Sequence, residues 1–197
     1  MNILFTICGR AGSKGIKSKN IRTFIDKPLV YYTISAIDLW SKKNDMPYDI
    51  VLSTDSEELV RLVNDNPMQK VHIIHRRSEL CGDVIGKVAV IRDCIQQMQS
   101  LVKKYDIVID LDITSPLRAV DDLERLIEVH TRTGADVTTS VTSARRNPYF
   151  NQLMKTDHGY KKVIDSNYTA RQQAPEIYDM NASMYAYTPE FLESGKG

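Results

Sequence analysis

Short apolar runs alternate with amphipathic stretches along most of the chain. Residues 2–8 (Asn-Ile-Leu-Phe-Thr-Ile-Cys) form a continuous β-rich run, the pattern of a strand covered on both faces. Residues 29–40 then put Val30, Thr33, Ile34, Ile37 and Trp40 on one helical face. A second strand is predicted over 50–53, and Thr54-Asp55-Ser56 offers an N-cap to a helix carrying Leu59, Val60 and Val63. A third strand over 71–75 precedes a long helix over 87–104, where Val88, Ile91, Ile95, Met98 and Val102 recur at threes and fours. Residues 107–111 predict a fourth strand. Asp121 or Asp122 offers a cap to a helix carrying Leu123, Leu126 and Ile127, and 137–141 predicts a fifth strand.

Strands alternating with helices at this spacing imply right-handed β-α-β crossovers and a mostly parallel sheet flanked by helices, an α/β fold. Ligands of such sheets bind at the carboxyl ends of the strands, and the unusual polar residues of this chain fall there. Beyond residue 143 the alternation lapses. Residues 143–180 are polar, irregular and rich in Arg, Asn and Tyr, with a hairpin signal at His158-Gly159. They are expected to form an arm within a single domain of residues 1–197. Residues 188–197 suggest an edge strand or turn.

Composition narrows the function. With 197 residues, 42% hydrophobic, the chain can bury roughly 70% of its unfolded surface around one core. Lys plus Arg number 26 and Asp plus Glu 25, a net +1, so no basic excess points to nucleic acid. No apolar run reaches the roughly 18 residues that a membrane helix needs, and residues 2–8 lack a basic leader and a small-residue cleavage site. Cys8, Cys81 and Cys94 are an odd, scattered set and read as reduced thiols of a cytoplasmic protein. His72, His75, His130 and His158 are scattered over strand, helix and turn positions and form no catalytic pair.

The loop after the first run carries the clearest chemistry. Gly9, Gly12 and Gly15 let the backbone approach a ligand and turn N–H groups inward, forming an anion-binding concavity. Arg10, Lys14, Lys17 and Lys19 share the stretch with no acidic residue between them, a charge density suited to a triphosphate. It is not a Walker A loop and not Gly-x-Gly-x-x-Gly; the bland alternative is a basic surface loop. Asp110 and Asp112, two apart on a strand, point to one face. One of them suits a Mg²⁺ site that also takes phosphate oxygens and water, or one caps the Thr114-Ser115-Pro116 turn.

Arg-x-Gly-Ser-Lys-Gly-x-x-x-Lys-Asn over 10–20 resembles the acylneuraminate cytidylyltransferases, the CMP-sialic acid synthetases and their relatives. So do Ser53-Thr54-Asp55, Ser78-Glu79-Leu80, Thr114-Ser115-Pro116-Leu117-Arg118, Arg171-Gln172-Gln173-x-Pro175 and Asn181-Ala182-Ser183-x-Tyr185. Within that family the stretches 111–118, 144–151 and 178–183 are similar to the enzymes making CMP-legionaminic acid; sialic acid enzymes typically carry Gln at the position of Asp112. The resemblance implies a three-layer nucleotidyltransferase fold like that of nucleotide-diphospho-sugar transferases, with a dimerisation arm. It implies an enzyme joining CTP and a nonulosonic acid, legionaminic or N,N'-diacetyllegionaminic, for surface glycan or flagellin glycosylation, with Mg²⁺ or Mn²⁺ as cofactor and a homodimeric assembly.

Residue by residue, the resemblance implies that Arg10, Gly12, Ser13, Lys14, Lys19 and Asn20 hold the CTP phosphates, with Arg10 and Lys19 acting on the leaving pyrophosphate. Arg76 and Lys87 flank a loop over the cytidine end, which Asp83 orders; the alternative for Lys87 is a charged helix start. Asp112, supported by Asp110, meets the metal. Thr114, Ser115 and Arg118 contact the acceptor or nucleotide. Arg171, Gln173, Asn181 and Tyr185 are expected at the sugar, Arg171 from a partner's arm. Tyr149 and Phe150 either wall that pocket or pack a dimer. Family members continue into an Asp-x-Asp segment that binds metal, which residues 1–197 do not contain. A non-catalytic nucleotide-sugar-binding module is the rival reading. A glycosyltransferase would expect an acceptor domain, and a dinucleotide oxidoreductase would expect the glycine fingerprint.

Overall fold

The computed structural model describes residues 1–12, 16, 18–82, 85–101 and 104–195. Along the chain run β1 (Ile3–Cys8), the short β2 (Thr23–Phe24) and β3 (Lys27–Pro28), α1 (Leu29–Ser41), β4 (Tyr48–Thr54), α2 (Glu57–Asn64), β5 (His72–His75) and α3 (Lys87–Leu101). Then come β6 (Ile107–Leu111), α4 (Val120–Thr133), β7 (Val137–Ser143), β8 (Leu153–Thr156), β9 (Gly159–Lys162), β10 (Tyr178–Tyr187) and α5 (Pro189–Glu193). The chain divides into two compact units, Met1–Thr139 with Ala182–Gly197, and Ser140–Asn181.

A six-stranded sheet runs in the order β5-β4-β1-β6-β10-β7. β1 pairs in parallel with β4 and β6, and β4 with β5; β10 runs antiparallel to β6. Because β1 connects forward to β4 on one side and lies against β6 on the other, the crevice beyond the ends of β1 and β6 is the switch point where α/β sheets bind ligands.

Alternation along the strands sorts the core into two faces. Ile3, Phe5, Ile7, Ile107, Ile109 and Leu111 pack with α1, α2 and α4. Phe5, Trp40 and Tyr48 meet there edge to face, with ring centroids 5.1 to 5.9 Å apart. Leu4, Val51 and Val108 turn the other way, onto Ile91, Cys94, Ile95 and Met98 of α3 and Leu192 of α5. The same alternation puts Thr6, Asp110 and Asp112 on the α3 side. There the sheet gives up apolar packing for charge.

The predicted helices and the five predicted strands are present within a few residues. Ser56 caps α2, its hydroxyl accepting from the Leu59 N–H. Two expectations are corrected. Ala119, with no side-chain cap, precedes α4, and Asp121 and Asp122 instead occupy its first turn, where the positive end of the helix favours them. Residues 188–197 contain no strand among the described residues: Thr188 caps α5, and Pro189 sits at its start, where a missing N–H costs nothing. The long strand β10 was not anticipated at all.

In the second unit, β8 and β9 form an antiparallel hairpin turned at Gly159, whose φ of +117° a side chain tolerates poorly. Asn147 ties this unit together: its Oδ1 accepts from the Tyr149 N–H and its Nδ2 donates to the Pro175 carbonyl, both at 2.9 Å. The Tyr149 ring meets Tyr168 edge to face at 5.9 Å.

Candidate functional site

The glycine that leaves β1 is dictated by packing. A Cβ on Gly9 would lie 2.5 Å from Leu59 Cδ2 and 2.8 Å from Ile113 Cδ1, so any side chain there would force those packed methyls aside where the backbone crosses between α2 and the β6 end. Gly12 then adopts φ +69°. Asp55, just past β4, accepts the Ala11 N–H at 2.6 Å, and Asn20 donates from Nδ2 to the Arg10 carbonyl at 3.0 Å. Asp55 thus fixes the start of the basic loop to the β4 end, and Asn20 ties the loop's far end back to Arg10. Ser13, Lys14, Gly15 and Lys17 lie outside the described residues, as does Asp83.

These anchors open a cavity of about 280 Å³ beyond the ends of β1 and β6. Arg10, Lys19, Asn20, Arg76, Lys87, Asp112 and Thr114 line its polar side, and Leu80, Ile85 and Val90 its apolar side. Residues from three separate stretches of sequence thus converge. Arg76 follows β5 and turns back onto β4: Nη2 donates to the Ser53 carbonyl at 2.8 Å and Nε to the Ser53 hydroxyl at 3.3 Å. Arg77 leaves the cavity and pairs with the buried Asp93 of α3, holding the 76–82 loop to that helix.

At the floor, Asp110 is fully buried. It sits in register with Thr6 of β1 and Tyr185 of β10. The Thr6 hydroxyl donates to Oδ1 at 3.0 Å, and Oδ2 is in ionic contact with Lys87 Nζ at 2.5 Å. Asp112, one pleat further, is 27% exposed and faces the cavity. Its Oδ1 accepts from the Thr114 N–H at 2.8 Å and the Thr114 hydroxyl at 2.6 Å, and its Oδ2 from Lys87 Nζ at 3.2 Å. Burial alone would raise the Asp112 carboxyl, but Lys87 and the two Thr114 bonds outweigh it and hold the group below the usual carboxylate range. Burial likewise opposes the Lys87 ammonium, and the two aspartates reverse that and push it well above an ordinary lysine. Both are charged at neutral pH.

Arg118 stands behind Asp112. Its Nη2 donates to the carbonyls of Asp112 and Ser183, at 2.8 and 3.0 Å, and Nη1 to the Thr33 hydroxyl at 3.5 Å. The guanidinium thus bridges main-chain oxygens of the β6 end and β10. Burial pulls its pKa down to about 10, against Asp112 and Asp110, which still leaves it cationic at pH 7. Ser115 donates to the Ser183 hydroxyl at 2.9 Å. Tyr185 stacks on Tyr187 at 6.2 Å.

The remaining expected residues belong to the second unit. Arg171 opens a 3₁₀ turn (Arg171–Gln173) and shares a polar cavity of about 340 Å³ with Arg146, Asn147, Glu176 and Tyr178. The Gln173 Oε1 accepts from the Thr169 and Ala170 N–H groups and the Thr169 hydroxyl, so it caps that turn. Asn181 Oδ1 accepts from the Ser140 hydroxyl at 2.6 Å. Asp55 and Thr6 are site residues for which the sequence offered little: Asp55 read only as a helix cap or part of a motif, and Thr6 as one position in an apolar run.

No histidine lines the cavity among its described residues. The Cys8 thiol does line it, but a hydrogen bond with Cys94, then burial, then Asp110 push it well above the ordinary thiol range, so it is no nucleophile at neutral pH. A divalent metal would find few side-chain donors here. Among the described residues no three His, Cys, Asp or Glu side chains cluster. Asp110 has both oxygens engaged and no exposure. Asp112 fits: Mg²⁺ commonly takes one or two carboxylates and completes its shell with substrate phosphates and water. The arrangement can therefore bind a polyphosphate, neutralise charge on it, and present one carboxylate beside it.

Comparison with known proteins agrees in kind. A family model described as Cytidylyltransferase matches residues 4–194. Post-translational flagellin modification protein B of Campylobacter coli is 37% identical over 191 residues, 96% of this chain and 79% of that protein. The CMP-N,N'-diacetyllegionaminic acid synthase of Campylobacter jejuni subsp. jejuni serotype O:2 is 34% identical over the same shares of the two chains. A solved structure of CMP:2-keto-3-deoxy-manno-octonic acid synthetase complexed with CTP is similar at a TM-score of 0.65 and 15% identity, over 98% of this chain and 77% of that one, which establishes a shared fold. Among the described residues no helix is long and apolar enough to cross a membrane.

Proposed function

The chain belongs to the cytidylyltransferase family and has a nucleotidyltransferase fold, and from that premise we propose that it activates a nonulosonic acid with CTP, giving the CMP-sugar and pyrophosphate. Legionaminic acid or its N,N'-diacetyl form is the substrate we favour, supported by the name of the Campylobacter jejuni relative, and we assign the product to surface glycan or flagellin glycosylation, in keeping with the flagellin-modification name of the Campylobacter coli relative. The observation that carries the reading is the cavity beyond β1 and β6, where, among the described residues, Arg10, Lys19, Arg76 and Lys87 share the lining with one half-buried carboxylate, Asp112. Four cations around one anion is an arrangement for a polyphosphate.

In the reaction, the sugar's anomeric hydroxyl attacks the α-phosphorus in line. An oxygen–phosphorus bond forms, the bond to the β-phosphate oxygen breaks, and pyrophosphate departs. Arg10 and Lys19, with Asn20, Lys14 and the backbone around Gly12 and Ser13, hold the β- and γ-phosphates and neutralise the charge that grows on them. Arg76, anchored on Ser53, holds the cytidine end. Asp112 is the residue that would hold Mg²⁺, or Mn²⁺ in its place, together with phosphate oxygens; Asp110 supports it through Lys87. When bound, the ion supplies Lewis-acid neutralisation of the phosphates. Thr114 fixes the carboxylate, and Ser115 and Arg118 fix the turn that carries it. The hydroxyl proton passes to water in the open cavity.

Arg171, Gln173, Asn181 and Tyr185 are assigned to the sugar, with Arg171 delivered from the second unit of a partner subunit in a homodimer. Apolar exposure on the hairpin supports assembly there: Leu153 is 64% and Tyr160 72% exposed. CTP is a cytoplasmic metabolite, and the enzyme is assigned to that compartment. Pyrophosphate release with CTP and a panel of nonulosonic acids tests the proposal. Release with legionaminic acids is expected; none with any member of the panel would refute it.

A further inference from the structure

Lys87 is the first residue of α3, where the helix's positive end disfavours a cation. It is nevertheless drawn inward, onto the fully buried Asp110 at 2.5 Å and onto Asp112 at 3.2 Å. The two contacts differ in kind. Asp110 has no exposure, and among the described residues Lys87 is the cation in ionic contact with it, so Lys87 is its counter-ion. Asp112 faces the cavity, and its Oδ1 is committed to Thr114. Only Oδ2 remains for anything that enters, and Lys87 already occupies it.

A second cation on that oxygen must therefore displace the ammonium or share the oxygen at close range, with like-charge repulsion. A polyphosphate changes the balance. Lys87 lines the same cavity as Arg10, Lys19 and Arg76, and its four-carbon stem lets the ammonium shift while Asp110 keeps it tethered. Phosphate oxygens offer it a partner that Asp112 then need not be.

We infer that Lys87 is an internal counter-ion that closes the outer oxygen of Asp112 to divalent cations in the nucleotide-free protein and releases it to them when polyphosphate draws the ammonium away. Metal and nucleotide binding are then coupled through one side chain, and the coupling is reciprocal. The inference rests on the nucleotide reading of this cavity and adds an order to it: nucleotide phosphates open the metal site.

Mn²⁺ is the probe, with free ion counted by electron paramagnetic resonance in the full chain without nucleotide or sugar. Lys87→Met alone leaves Asp110 without its counter-ion, so the variant to use is Lys87→Met with Asp110→Asn, which removes the buried pair together. It should bind Mn²⁺ at least about tenfold more tightly than wild type, and adding Asp112→Asn should abolish the gain. Equal affinity in the double variant and wild type, or a gain that survives Asp112→Asn, overturns the inference. Wild-type protein gives an independent check: the Lys87 ¹³Cε resonance should move on addition of inorganic triphosphate, and an unmoved resonance rejects the release step. Calorimetry with CTP on wild type separates the failures. No CTP binding sinks the nucleotide reading, whereas unchanged Mn²⁺ affinity sinks only the role of Lys87.

Discussion

Replacing Arg118 by Met separates a side chain that touches substrate from one that builds the site. The guanidinium donates to the Asp112 and Ser183 carbonyls at 2.8 and 3.0 Å and reaches Thr33 at 3.5 Å. Met keeps much of the apolar stem but leaves both carbonyls without that donor. Each charge-assisted bond contributes roughly 1.5–3 kcal/mol, and partial solvent access to the vacated space returns some of it. A net loss of about 3 kcal/mol follows, equivalent to about 6–12 °C in Tm for a chain of this size. The Asp112 N–H still donates to the Ser183 carbonyl at 3.1 Å, but without the guanidinium bridge the turn that carries the Asp112 carboxylate is held less tightly. We therefore expect kcat to fall at least about tenfold with KM for CTP within about threefold, the signature of an interaction expressed in the transition state. Thermal unfolding and steady-state pyrophosphate release measure the two effects. A variant that melts within about 2 °C of wild type but shows a large rise in KM for CTP or sugar would refute the positioning role and return Arg118 to the ligand.

Other consequences are simpler. Gly9→Ala forces a methyl to within 2.5 Å of Leu59, and denaturant unfolding should report a loss of about 1–3 kcal/mol. Phe5→Ala removes the ring that meets both Trp40 and Tyr48; a loss of about 3–5 kcal/mol is expected by the same measurement. His130 is buried against Thr138, and burial lowers its pKa below the ordinary value. The folded state refuses a proton that the unfolded state accepts, so stability is highest above about pH 6.5 and declines as pH falls below it, by at most about 1.4 kcal/mol per unit for this group. His130→Gln should flatten that part of the Tm profile between pH 7 and 5.

Much of the scaffold was readable because the residues that build it are local and apolar. Residues 3–8 and 107–111 are continuous runs buried on both faces, and α1 and α4 carry clean helical periods. β10 was not readable in that way. Its first five residues are exposed and four of its last five buried, so Tyr178–Tyr187 carries Asp, Asn and Ser where a strand signal would need an unbroken run. Residues 188–197 read as an edge strand or turn because the five residues of α5 are too few to show a period. The candidate site was readable as separate pieces. Arg10, Lys19, Lys87, Asp110 and Asp112 each stood out by charge and position, and the shared face of the two aspartates followed from strand geometry. The Lys87 bridge spans 25 residues of sequence and depends on how α3 crosses the sheet, which no local pattern encodes. Arg118 closed the Thr-Ser-Pro-Leu-Arg motif and read as a ligand contact; its carbonyl partners include Ser183, 65 residues away.

Titration calorimetry with CTP, on wild type and on Arg10→Ala and Lys19→Ala, probes the polyphosphate site most directly. Wild type should bind CTP, and each variant should weaken that binding at least about tenfold, or 1.4 kcal/mol. Affinity that is unchanged in both variants would mean that CTP, if it binds, does so away from the cavity beyond β1 and β6.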